Sequence, residues 1–264
     1  MILFGMVALN EIDYIDAVLN SVKPYCDKIV VIESCARKPF DYLYKEGFVT
    51  KDGLSTDGTT EYLQRRNDIT YLPMYVLEGT VEACASPQFH KYVTDGDYIW
   101  IGTGNEVYFP KKAKEIHKMI MSGVPYIDVS LVVMWKDLKH RIVGGGWDSA
   151  GLRIFQYEKS LDQPFDFDVK TCTAFPMLFK FGQIYIRYKY QVLDACMKLA
   201  YARSEQRVFY KVALQDIEYN DRLNNLGRYK SLEVYLHRTH HWWNDIHAKG
   251  IAVKRYRGKY PEGV

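Results

Sequence analysis

Apolar positions in the first third of the chain switch period repeatedly. Ile2–Ala8 is a continuous apolar run of the length of a fully buried strand, and Lys28–Glu33 (KIVVIE) is a second, rich in β-branched residues. Between them Ile12, Ile15, Leu19 and Val22 recur at helical spacing, with Asn10 placed to cap that helix. Asp57 precedes a short helix reaching Arg66, residues 70–77 predict a third strand, and Ser86-Pro87 reads as a cap and a first-turn proline opening another helix. Residues 97–101 (DYIWI) predict a fourth strand. Pro110 opens a helix with Ile116, Met119 and Ile120 inward and Gly123 as its stop. This alternation predicts an α/β fold with a mostly parallel central sheet flanked by helices on both faces.

Beyond residue 124 the pattern changes. Tyr126–Trp135 predicts a long strand, the glycines at 144–146 a turn, and 152–157 and 183–188 short strands. From Gln191 the stripe of Val192, Cys196 and Leu199 predicts a helix, and residues 206–220 a second one. No repeat and no linker rich in Pro, Gly or Ser divides the chain. Residues 1–185 therefore read as the α/β domain, and 186–264 as a helical C-terminal extension packed on it. A chain of 264 residues is long enough to bury a full core as one domain.

Composition narrows the function classes. With 48% hydrophobic and 25% charged residues the chain is neither disordered nor fibrous. No apolar run reaches the ~18 residues of a spanning helix. The opening MILFGMVALNEI lacks the pattern of a signal peptide, so a cytoplasmic location is expected. Five cysteines without CxxC spacing speak against a disulfide framework or a zinc finger and for a reducing compartment. A net charge of +3 is too weak to predict nucleic-acid binding. The 22 tyrosines offer apolar faces with polar tips, which suit sugars and nucleobases, although ordinary core and surface use accounts for most of them. The tail from Lys249 carries five basic residues against Glu262, with Tyr256 and Tyr260 interleaved. As a solvated terminus it needs no partner; as a contact it would suit an anionic lipid surface or nucleic acid.

In open parallel sheets ligands sit beyond the carboxyl ends of the strands. Three predicted loops occupy that edge: Ala8-Leu9-Asn10-Glu11, the segment beginning Glu33-Ser34, and Gly102-Thr103-Gly104-Asn105-Glu106. They are polar, acidic and glycine-rich, as a nucleotide requires.

The segments VALNEIDYIDAVLNSV, CDKIVVIES, LSTDGTTEYL and DGDYIWIGTGNEVYFP resemble the nucleotide-binding half of family 2 glycosyltransferases of the GT-A fold, across about residues 1–110. GLRIF (151–155) and IRYKY (186–190) resemble later segments of that family less closely. The resemblance implies a Rossmann-like GT-A sheet, a nucleotide-sugar donor (a UDP-sugar first), and inverting transfer to a saccharide or lipid-linked acceptor; a lipid-linked acceptor would give the basic tail a purpose, as peripheral contact with the inner membrane face. By position it assigns Ala8, Asn10, Glu11, Glu33, Asp57 and Gly104 to the nucleotide. Asn10 and Asp57 read equally as helix caps, and Glu33 as a strand end.

Two departures stand out. Residues 35–53 are inserted before S-T-D-G-T, where a lid or specificity loop would lie. The family's metal-binding D-x-D-E is here Thr103-Gly104-Asn105-Glu106, with both aspartates replaced. Three readings stay open. Mg²⁺ or Mn²⁺ is held by Asn105 and Glu106 with help from a C-terminal histidine such as His240; cationic side chains take the metal's place on the leaving diphosphate; or catalysis is lost. An inverting transfer needs a base for the acceptor hydroxyl, for which Asp148, Asp166 and Asp168 are the candidates. The competing functions are a non-catalytic nucleotide-sugar or glycan-binding module and a DNA-modifying glycosyltransferase. A sugar-nucleotidyltransferase would need a glycine-rich basic loop after the first strand, which LNEID lacks.

Overall fold

The structure, a computed structural model, describes residues 1–78, 81–135, 137–143, 151–157, 167–168, 173–174, 190–200, 202–203, 207, 252–261 and 263–264. Strands β1 (Ile2–Ala8) and β2 (Lys28–Glu33) fall on the predicted residues. With β3 (Thr70–Pro73) and β4 (Tyr98–Thr103) they form a parallel block in the order 3-2-1-4, Ala8 lying beside Glu33 and Val7 beside Thr103. The carboxyl ends of β1, β2 and β4 thus share one edge.

On the far side of β4 the sheet turns mixed. Strand β8 (Gly151–Gln156) runs antiparallel to β4, and β6 (Tyr126–Trp135) antiparallel to β8. Strands β7 (Asp137–Val143) and β12 (Ala252–Arg255) extend it outward. Strand β11 (Gln191–Lys198) lies parallel to β6 and antiparallel to the short β5 (Glu106–Tyr108), which brings Lys198 opposite Glu106. A separate two-stranded ribbon pairs β9 (Phe167–Asp168) with β10 (Thr173–Ala174).

Alternation along each strand divides the core between two faces. Phe4, Met6 and Ala8 of β1 pack with Val31, Trp100 and the inward residues of helices α1 (Ile15–Val22) and α5 (Pro110–Met121). Leu3, Val30, Ile32, Ile99 and Ile101 face the other way, toward α4 (Val81–His90). Trp100 is fully buried and meets the rings of Phe4 and Tyr108 edge-on, at 6.1 and 4.8 Å. Both faces are therefore covered by helices, as the period changes predict.

Three local expectations are corrected, and one lies outside the described residues. The segment 191–198 is strand β11, not a helix. The strand carries a bulge between Val192 and Cys196, and Val192, Ala195, Cys196 and Met197 are all buried, so the run of apolar residues does not alternate as a one-faced strand would. The predicted helix over 206–220 lies outside the described residues, apart from Arg207. Helix α4 begins at Val81 and carries Pro87 within it, because Val81, Ala85 and Phe89 form the buried stripe. Helix α1 starts at Ile15, and the short helix α3 (Thr59–Gln64) takes Gly58, at φ 98°, as its N-cap, so neither Asn10 nor Asp57 is the capping residue itself. The 35–53 insertion is folded: helix α2 (Arg37–Lys45) and the turn after it close over Leu9, Cys35, Leu43 and Val49 as a small core of their own.

One ion-pair group gives the fold an acid sensitivity. Arg66 donates to Asp68 at 2.6 and 2.7 Å, and Lys23 adds a third bond at 2.6 Å. Those bonds, Arg66's first, hold the Asp68 carboxyl well below the usual carboxylate range. A carboxyl with a depressed folded-state pKa stabilises the fold above its unfolded pKa of about 4 and loses that contribution as the pH falls further. Solvent exposure limits the gain to about 0.5–1 kcal/mol. Asp68→Asn should therefore flatten the acid limb of a stability–pH curve below about pH 4; superimposable curves for the two proteins would show that the group contributes nothing.

Candidate active site

The three loops at the carboxyl edge meet in a buried network. Asn10 ends β1 in the left-handed region, at φ 55°. Its backbone N–H donates to Ser55 Oγ (2.8 Å), its side-chain amide donates to the Phe48 carbonyl (2.7 Å), and its Oδ1 accepts the Thr56 N–H (3.0 Å). Asn10 thus ties the first loop to the inserted segment. Glu33, fully buried at the end of β2, accepts from the Ser55 N–H (2.8 Å), the Thr60 hydroxyl (2.8 Å) and the Tyr71 hydroxyl (2.5 Å). Hydrogen bonding to that carboxylate and burial raise the Tyr71 pKa, burial contributing most. Asp57 accepts the Thr59 N–H (3.0 Å) and the Ile12 N–H (3.2 Å), so it joins the first turn of α3 to the first loop.

The centre of the edge is charged. Glu11 is buried, with one carboxylate oxygen accepting from the Asn105 amide (2.8 Å) and the other from the guanidinium of Arg203. Arg203 also donates to the Asn10 carbonyl (2.9 Å) and lies over the Tyr14 ring (5.2 Å to its centre). The Tyr14 hydroxyl donates to the Ala202 carbonyl (2.5 Å), and Arg207 bridges Asp13 and Asp57. Beside this group, Glu106 has no exposed surface; its Oε1 accepts from Arg153 (2.8 Å) and Lys198 (3.4 Å). Among the described residues its Oε2 has no hydrogen-bond partner, nor has the Nε of Arg203. Gly104 fits because it has no side chain: a Cβ there would stand 2.5 Å from the Glu11 Cγ.

The predicted nucleotide residues Ala8, Asn10, Glu11, Glu33, Asp57 and Gly104 are therefore brought together, but most of their polar groups are spent on neighbouring residues such as Ser55, Thr59, Thr60, Asn105 and Arg203. Ile12, Thr56, Asp57, Thr103 and Lys198 keep some exposure along the rim. Asn105 and Glu106 do not fit a divalent cation as they stand. Two cations share one Glu106 oxygen, and the Asn105 amide presents its N–H to Glu11. Among the described residues no three His, Cys, Asp or Glu converge on a point an ion could occupy. His240, Asp148 and Asp166 lie outside the described residues, and Asp168 is placed only as the second residue of β9. Burial, with Glu106 nearby, pushes the Cys196 thiol well up, so it stays protonated and is no nucleophile.

Sequence reasoning missed Arg153, Lys198, Arg203 and Arg207. Arg153 left a signal, a lone arginine inside the apolar GLRIF strand. Arg203 left none, because its partners lie at the other end of the chain.

No protein-family model and no curated protein matches this chain. Among solved structures it is similar in layout to S. aureus TarS residues 1–349, at 14% identity and TM-score 0.46, covering 83% of this chain and 65% of that one. The chain thus spans just under two thirds of that TarS piece. It also matches Rv0371c of Mycobacterium tuberculosis H37Rv in complex with manganese, at 10% identity and TM-score 0.39 over 82% of this chain and 99% of that one. A third match is 4-diphosphocytidyl-2C-methyl-D-erythritol synthase of Anaerococcus prevotii, at 10% identity and TM-score 0.41, over 81% and 98%. Likenesses of this size concern general layout and leave the activity to the residues of the site.

Proposed function

We propose that this chain is a glycosyltransferase that moves a sugar from a nucleotide-sugar donor to a saccharide or lipid-linked acceptor. The observation that carries the reading is the buried charged network at the carboxyl edge of the 3-2-1-4 parallel block. Two carboxylates and three cationic side chains out of water are costly, and such arrangements concentrate where a site has to be shaped. That edge is also where an open parallel sheet offers its ligand crevice. In the transfer, an acceptor hydroxyl attacks the anomeric carbon, the bond from that carbon to the diphosphate oxygen breaks, and the hydroxyl proton passes to a carboxylate base. We assign the base to one of Asp148, Asp166 and Asp168. Lys254, Arg255, Arg257 and Lys259 are exposed and would meet an anionic lipid surface if the acceptor is lipid-linked. Among the described residues no helix is long and apolar enough to cross a membrane.

A thermal-shift matrix of UDP, GDP, CMP, dTDP and their sugar conjugates tests the donor site. A ligand at ~100 times its dissociation constant adds about 2.7 kcal/mol, a shift of several degrees. One nucleotide family should shift the melting temperature, and its sugar conjugate should then be turned over. No shift with any of them overturns the reading. Binding without turnover would favour a nucleotide-sugar-binding module, toward which the internal pairing of Asn105 and Glu106 points.

A further inference from the structure

The geometry points to a diphosphate site that works without a divalent cation, its charge supplied by Lys198, Arg203 and Arg207. This deepens the donor-site reading above and rests on it. The position where a metal would be expected holds a single carboxylate, Glu106, and that carboxylate is turned into the protein onto Arg153 and Lys198. The neighbouring carboxylate, Glu11, is turned onto Arg203. Protein cations therefore already stand where a metal would neutralise these carboxylates. Among the described residues the ion pairs here join four cationic groups (Arg153, Lys198, Arg203 and Arg207) to four carboxylates (Glu11, Asp13, Asp57 and Glu106), so the paired groups hold no excess of negative charge to draw a dication.

The cations are also suitably graded in access. Arg203 is 1% exposed yet keeps an Nε–H without a partner among the described residues, a donor left over in a buried place. Lys198 is 14% exposed and Arg207 23%, both on the rim. Arg207 is held between Asp13 and Asp57, carboxylates that orient its planar fork without covering it. Both cations are tied to the segment that runs from Thr103 to Glu106: Lys198 through Glu106, and Arg203 through Glu11 and Asn105. A diphosphate over that segment would lie close to both.

The test is calorimetric titration of the full chain with inorganic pyrophosphate, UDP and GDP, first in EDTA and then with Mn²⁺. At least one probe should bind with the same affinity in both. Lys198→Met and Arg207→Gln should each weaken it about tenfold, the loss of one charge-assisted bond. Arg207→Gln removes a rim side chain and should leave the unliganded melting temperature nearly unchanged, so its effect reads on binding alone; Lys111→Gln, on the exposed side of α5, serves as the control. Affinity that rises tenfold or more with Mn²⁺ and loses that gain in Glu106→Gln would overturn the proposal while leaving the transferase reading intact. Metal-independent binding that ignores both variants would overturn it by placing the diphosphate elsewhere. A folded protein that binds none of the probes in either buffer would remove the donor-site reading, and this proposal with it.

Discussion

Replacing Arg203 with methionine should lower the stability of the folded chain by about 3–5 kcal/mol, the range for removing one partner of a buried ion pair. The side chains of Arg203 and Glu11 are each 1% exposed, so water cannot replace the lost guanidinium. Methionine roughly preserves the volume, which separates the electrostatic effect from a cavity. The variant also gives up the bond to the Asn10 carbonyl and the contact over Tyr14. Urea denaturation measures the loss. A double variant with Glu11→Gln should recover part of it, because a neutral pair leaves no charge stranded. A loss below about 1 kcal/mol would mean that Glu11 is solvated and the node is open.

The second large effect is expected at Glu33. Glu33→Ala should cost about 3 kcal/mol or more, because three donors lose their acceptor together and a buried unsatisfied donor costs about 1–3 kcal/mol. The donors are the Ser55 N–H and the hydroxyls of Thr60 and Tyr71, which come from the segment ahead of α3, from α3 and from β3. Glu33 therefore acts as a clasp on the loop that carries Asp57. Amide exchange should rise around residues 54–60 more than in β1. Unchanged stability combined with weakened nucleotide binding would instead assign the carboxylate to the ligand.

How much of this could be read from the sequence depended on the range of the interactions. Local patterns placed β1, β2, β6 and α5 on their residues, because burial on one face or two imposes a period that survives in a single segment. The Gln191–Lys198 strand was illegible as a strand because its bulge broke the period at Leu193-Asp194. At the site, the residues that come from the three edge loops were legible as a group. Their roles were not. Asn10 and Glu33 read as ligand contacts from their residue types, but only the fold brings in Phe48, Ser55 and Tyr71 to take up those polar groups. The missing cations follow the same rule: Lys198 reaches Glu106 across 92 positions, and Arg203 reaches Glu11 across 192.

That last separation bears on how the molecule is made. The Glu11–Arg203 contact and the Tyr14–Ala202 contact close loops of nearly two hundred residues, so their closure entropy must be met by structure formed earlier. During synthesis the 3-2-1-4 strands emerge well before Arg203 does. A nascent chain stopped short of it would lack the Arg203 bonds to Glu11 and to the Asn10 carbonyl. The site is thus completed only once the segment that follows strand β11 has docked. A slow refolding phase should therefore be seen in the surroundings of Tyr14, after the aromatic core around Trp100 has formed.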